Sequence, residues 1–263
     1  RYLSINSMGA SNSLAKLSSG SRIVKSSDDA ASLAVGTKLK ADVTALKQAS
    51  VNASHAVSLL QVADGGMAQI SDILNRMKGL ATQAYADTLS TTEQGYLDEE
   101  YQALILQITA TVAQTKFNGE TLLDGAGGPG GDGKFDFQTG VTAATDHIQV
   151  TIAKLDTTTL TVAGTDITTT ATAKTASAKI DAAIVSVNTA RAEVGAFMSR
   201  FEFANANAQV SAENLDAARS VLMDVDVAAE MATFSSKQVL SQAATAMLAQ
   251  ANQMPQNLLR LLQ

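Results

Sequence analysis

Small or apolar residues recur along this chain at alternating steps of three and four. In the first half they are Leu46, Ala49, Ala53, Ala56, Leu60, Ala63, Met67, Ile70, Leu74, Met77 and Ala81. In the last third they run from Phe197 and Phe201 through Ala208, Leu215, Leu222, Val225, Ala229, Ser236 and Val239 to Ala246. A mean step of about 3.5 residues keeps each set on one seam of a helix, the repeat of a coiled coil. Neither seam can bury itself alone, so the N- and C-terminal parts are expected to lie side by side. The abundance of Ala on the seams predicts close helix approach and a thin, stiff rod.

Other elements follow from the punctuation of the pattern. Arg1 to about Lys16 reads as the end of a first helix. Gly20 and its surrounding serines interrupt it, because serine side chains offer the backbone alternative hydrogen bonds. Ser26, Ser27 and Asp28 are candidate N-caps for a long helix reaching about Ala86. After a polar break at 87–92, a second helix over about 92–115 carries Leu97, Tyr101, Leu104, Ile108 and Val112 on one face. Asp124 to Gly133 holds six glycines and Pro129, a composition incompatible with helix. Beyond it, Phe135–Phe137, Ile148–Ile152 and Leu160–Val162 alternate as half-buried strands do. Helix resumes near Thr175 and is predicted to continue as one very long helix, interrupted only near Met254 and Pro255. The fold class is therefore mainly α, a helical coiled-coil rod of N- and C-terminal helices with a small β-hairpin region.

Composition narrows the function. With 263 residues the chain has enough length for a real core, yet only 4 % are aromatic and none is Trp. The net charge of −6 and pI near 4.9 argue against phosphate-backbone binding, which depends on Lys and Arg, so no nucleic-acid partner is expected. There is no Cys, which excludes disulfide and thiolate chemistry. No apolar run is long enough for membrane insertion, and no signal-peptide pattern is present. The start at Arg1, inside an apparent helical pattern, reads as a trimmed N-terminus.

Three motifs in order bring a resemblance. Leu17-Ser-Ser-Gly-Ser-Arg-Ile23 followed by Asp28-Asp-Ala-Ala-Ser-Leu-Ala34 resembles the N-terminal signature of bacterial flagellin. Gln114-Thr-Lys-Phe-Asn-Gly119 with Leu122-Leu123 is similar to the family's entry into its hairpin region, and Ala249 to Leu259 to its C-terminus. The resemblance implies a self-assembling filament subunit for motility, exported by a type III apparatus to the bacterial surface. It also implies a layout. Residues 1–26 are the remnant of an inner-tube helix and spoke, and 27–116 with 176–223 a discontinuous helical bundle. Residues 117–175 are a small β-rich insert, and 224–263 a C-terminal inner-tube helix. Expected partners are further copies of the chain, an export chaperone, and hook-associated and cap proteins. The competing expectation is a flagellin-like surface protein whose Thr-rich insert binds a polysaccharide or a host receptor.

Candidate residues are few. Leu215, Leu222, Val225, Val239, Met247 and Leu258 lie on the C-terminal seam and are the expected subunit-assembly positions, since an unpaired apolar stripe marks an interaction site. Ser26, Asp28 and Asp29 are the cap or spoke residues, favoured at a helix N-terminus by its dipole. Arg76, Leu80 and Glu100 match positions that the vertebrate Toll-like receptor for flagellin reads in susceptible members. Gly79 and Leu104 depart from that pattern, and a lost charge-assisted partner at an interface costs about 2–5 kcal/mol. Asp124, Asp132 and Asp136 bracket the Gly-rich loop and could hold Ca²⁺; the spacing is not that of an EF-hand, and a solvated turn is the simpler reading. His55 and His147 have no recognisable catalytic partners, and His55, among Ala and Val, reads as packed. No enzyme activity and no cofactor are expected.

Overall fold

The computed structural model describes residues 1–86 and 88–261, with side chains through residue 253. Among the described residues, five helices and four short strands follow one another as α1 Tyr2–Ser19, α2 Ala30–Ala84, α3 Thr91–Gln114, β1 Lys116–Phe117, β2 Glu120–Thr121, β3 Lys134–Gln138, β4 His147–Thr151, α4 Thr170–Met223 and α5 Val227–Leu261. The chain divides into two compact units, one of Arg1–Thr44 with Ser211–Gln263 and one of Ala45–Val210.

In the second unit the heptad pattern becomes a core. All eleven positions of the N-terminal seam, Leu46 to Ala81, are buried. The nine from Ala53 to Ala81 join Tyr101, Ile108 and Val112 of α3 and Ala173, Ile180, Val187 and Phe201 of α4 in one apolar cluster. Side-chain bonds across the helix pairs fix their directions. Asp64 meets Arg191 at 2.8 Å and Lys78 pairs with Asp181, so α2 and α4 run antiparallel. Arg76 pairs with Glu100, and Gln94 Nε2 donates to the Ala84 carbonyl at 3.0 Å, which makes α3 antiparallel to α2. Serine and glutamate set the start of α3: Ser90 accepts from the Glu93 amide while the Glu93 carboxylate accepts from the Ser90 amide, a capping box.

Two antiparallel hairpins complete this unit. β1 and β2 turn through Asn118 and Gly119, both at positive φ (50° and 89°), the backbone that a two-residue hairpin loop requires and that Asn-Gly adopts most readily. β3 pairs with β4 with Phe135 opposite Val150 and Phe137 opposite Ile148. Phe137 meets Phe201 edge-on at 5.5 Å between centroids, seating this hairpin on α4. The expected third strand at Leu160–Val162 is instead a turn. The Asp156 carboxylate accepts from the Thr159 amide, the Leu160 amide bonds the Asp156 carbonyl, and Thr161 adopts φ 58°. Its apolar residues are buried all the same, which is why their alternation reads as a strand. Thr165 fastens this segment to α3: its hydroxyl donates to the Val162 carbonyl and accepts from Tyr101 at 2.8 Å.

The first unit differs from expectation at the C-terminal helix. It is not one helix but two, α4 and α5, separated by Asp224, Val225 and Asp226. Asp226 starts α5 by accepting from the Ala228 and Ala229 amides at 3.0 and 3.1 Å, an N-cap that competes with helix continuation. Conversely, α5 runs through Pro255 to Leu261 without the predicted interruption. α1 packs along α5 in the antiparallel sense, with Gly20 beside Val225 and Gly9 beside Lys237.

Candidate assembly surface

Two chain breaks shape the terminal pair. α1 stops at Gly20, whose φ of 68° is the left-handed conformation that closes a helix. The next residues then cross to the end of α4. Ser21 forms a β-bridge with Asp224, and the Arg22 amide donates to the Met223 carbonyl at 2.7 Å. The Arg22 guanidinium donates to the Leu222 carbonyl at 2.9 Å. A helix end leaves its last carbonyls without partners, and this loop supplies them.

The pair then buries an unexpected face. On α5 the half-covered row is Glu230, Phe234, Lys237, Ser241 and Ala244; on α1 it is Leu3, Asn6, Gly9, Ala10 and Leu17, with Ser13 fully covered. Large apolar side chains flank these rows in solvent: Ile5 and Met8 on α1, and Met231, Val239, Leu240 and Met247 on α5, with Met8 65 %, Val239 61 % and Met247 69 % exposed. The seam read from the sequence extends to Ala246, but the helical phase moves on by one residue after the 224–226 break, so Ala229, Ser236, Val239 and Ala246 face outward. Of the six assembly candidates, Leu215, Leu222 and Val225 are half-buried within the chain, whereas Val239 and Met247 are exposed. Leu258 lies outside the residues whose side chains are described. Sequence reasoning missed Ile5 and Met8, which repeat at a step of three, and missed Ser21 and Arg22, which carry no periodic signal.

The remaining candidates resolve one by one. Asp29, not Ser26 or Asp28, caps α2, accepting from the Ser32 amide at 3.0 Å; Ser32 hydrogen bonding holds its carboxyl below the usual aspartate range. Asp28 folds back within the loop, accepting from the Lys25 amide at 3.0 Å, and Ser26 sits in a turn. Leu80 belongs to the core at 1 % exposure, because it follows Met77 by three and precedes Ala84 by four on the buried side of α2. It cannot therefore join Arg76 and Glu100, an exposed ion pair, on a receptor-facing surface. His55 is exposed rather than packed, as is His147.

Asp124, Asp132 and Asp136 do not gather into a metal site. Asp124 accepts from Thr121 and from the Ala126 amide, Asp132 pairs with Lys134 at 2.9 Å, and Asp136 stands on β3 opposite Gln149. Among the described residues no trio of His, Cys, Asp or Glu could hold an ion, and no helix is long and apolar enough to cross a membrane.

The insert's turns instead depend on ionised aspartates. Asp124 is held below its ordinary value of 3.8 by the Thr121 hydroxyl, Asp146 by the Thr142 amide and Asp156 by Thr159. A carboxyl whose folded pKa is depressed stabilises the fold above its unfolded pKa and loses that effect as pH falls. Acidification from about pH 5 to about pH 2 is therefore expected to loosen these loops. Accelerated exchange of the Ala126, Thr142 and Thr159 amides, relative to the neutral-pH trend, is the measurement; unchanged protection would contradict it.

Comparison with known proteins adds the family. Residues 1–127 match the bacterial flagellin N-terminal helical region and residues 177–262 the bacterial flagellin C-terminal helical region. The chain is 37 % identical over 264 residues to a flagellin of Halalkalibacterium halodurans, covering 100 % of this chain and 95 % of that protein. It is 34 % identical over 271 residues to the flagellar filament 30.7 kDa core protein of Treponema maltophilum, with the same coverage. The crystal structure of Bacillus cereus flagellin superposes with a TM-score of 0.53 at 33 % identity, covering 60 % of this chain and 88 % of that one.

Proposed function

This chain belongs to the bacterial flagellins and is a structural subunit of the flagellar filament, and on that premise we propose that the exposed flanks of α1 and α5 are the surface through which copies join. The observation that carries this is the inversion of the terminal pair: apart from Leu3, Leu17 and Phe234, the covered rows are small and polar, while Met8, Val239 and Met247 lie in solvent. An isolated subunit leaves this apolar area hydrated, and burying it against a neighbour releases about 25 cal/mol per Å². Within this reading residues 1–26 and 224–263 form the inner tube, and 27–116 with 176–223 the surrounding helical layer. The insert at 117–175 lies outermost.

The same exposure supports a chaperone that covers α5 before export, with delivery to the extracellular filament and contacts to hook-associated and cap proteins at its ends. Its role is architectural, not catalytic. Val239→Lys with Met247→Lys tests the surface. Sedimentation of full-length chain added to short filament seeds is expected to show about tenfold less elongation, the scale on which central interface residues act. The melting of the free chain should stay within about 0.5 kcal/mol, as for other exposed positions. Elongation at the unaltered rate would refute the assignment.

A further inference from the structure

We propose that Ser21 and Arg22 are positioning residues that fix the rotation of α5 about its own axis, and so choose which of its faces is offered to a neighbouring copy. The inference rests on the assembly reading and adds to it a determinant of the surface. Three backbone groups, two at the end of α4 and one within the 224–226 break, are engaged by one short loop. Leu222 O accepts from the Arg22 guanidinium at 2.9 Å, and Met223 O accepts from the Arg22 amide at 2.7 Å. Ser21 Oγ lies 3.1 Å from Met223 O, and the Val225 amide donates to Gly20 O at 3.1 Å. Asp224 and Asp226 complete the break from the helix side, through Ser220 at 2.6 Å and the Ala228 amide at 3.0 Å.

The consequence is angular. An uninterrupted seam carries Ser236 and Val239 onto the covered face, whereas the observed covered row is Phe234, Lys237 and Ser241. One residue of phase is about 100° of rotation. With the clasp open the break itself no longer holds the observed phase, and Phe234 is the one large apolar side chain of the covered α5 row that favours it. Val239 then has as good a claim to the inner face as Lys237. Arg22 thus acts on assembly at a distance, through the orientation of α5.

Two introduced thiols read the phase directly, because the chain has no Cys of its own. A Cβ at Gly9 lies 3.4 Å from Lys237 Cδ, so Gly9→Cys with Lys237→Cys reports the observed phase, and Gly9→Cys with Ser236→Cys the shifted one. Each pair is carried on full-length chain, incorporated as a minority into filaments grown from seeds with unaltered chain, oxidised, and scored for the intrachain disulfide by peptide mapping. Disulfide geometry is restrictive enough that the 237 pair is expected to exceed the 236 pair by about tenfold. Ser21→Ala with Arg22→Ala should reduce that preference to about threefold or less, while Arg22→Lys, which keeps a donor, retains it. Exclusion of the double alanine chain from filaments, with entry of Arg22→Lys, supports the same conclusion. The proposal is overturned if the unaltered clasp shows no preference, if the double alanine variant keeps the full preference, or if Arg22→Lys is excluded as well. Those results leave the assembly reading intact, since the Val239→Lys, Met247→Lys experiment does not involve the clasp.

Discussion

Phe201→Ala is expected to destabilise the second unit by about 3–5 kcal/mol, the usual cost of emptying a large aromatic site in a core. Phe201 is fully buried on α4 and is the residue on which the β3–β4 hairpin rests, its ring edge-on to Phe137 with planes 84° apart. Such a pair contributes about 0.5–1.5 kcal/mol beyond the area it buries. Collapse around the hole is restricted, because the hairpin is held at a second point by Asn52, whose side chain donates to the Gln138 carbonyl at 3.2 Å. Thermal unfolding followed by circular dichroism measures the loss. Phe203, two positions along and 78 % exposed, is the control: Phe203→Ala should stay within about 0.5 kcal/mol. A loss below about 1 kcal/mol at Phe201 would mean that the hairpin is not seated as described.

Met67→Lys should be more damaging still. Met67 sits at the middle of the α2 seam at 0 % exposure, within the cluster shared by α2, α3 and α4. The effective penalty for an ion taken out of water is several kcal/mol, and no carboxylate belongs to that cluster. A long helix surface lets some lysine stems reach solvent, but a residue enclosed on all sides has no such route. Since whole domains are stable by about 5–15 kcal/mol, loss of cooperative unfolding at 25 °C, or a midpoint lowered by the largest amount of any single change proposed above, is the expected result. Met67→Leu conserves volume and should cost less than about 1.5 kcal/mol. Equal melting curves for the two variants would show that the seam at Met67 is open to water.

The N-terminal seam was legible because a period carried over ten steps leaves one answer for every position: each of its eleven residues is buried. Leu80 was legible for the same reason, and assigning it to a receptor surface overrode a spacing that already placed it inside. The phase of α5 was not legible. Asp224-Val225-Asp226 contains neither Gly nor Pro, and its break is made by a loop some two hundred residues earlier in the chain, through hydrogen bonds that no periodicity records. The available signal was Asp226, a residue type favoured at N-caps. Leu160–Val162 misled because three residues cannot distinguish a strand from a turn with buried apolar ends. The cap of α2 was left open among Ser26, Asp28 and Asp29: Asp28 and Asp29 both offer a carboxylate, and only the direction of the preceding turn separates them.

The inverted terminal pair has a further consequence for the kind of object such chains can build. The outward apolar side chains of α1 and those of α5 are unlike surfaces, so a contact between the flank of one copy and the flank of the next uses two different patches. That contact is heterologous, not isologous: each copy that docks presents the same unused patch again. An association of this kind cannot end in a closed dimer that satisfies both members. It either closes into a ring or continues as an open helix.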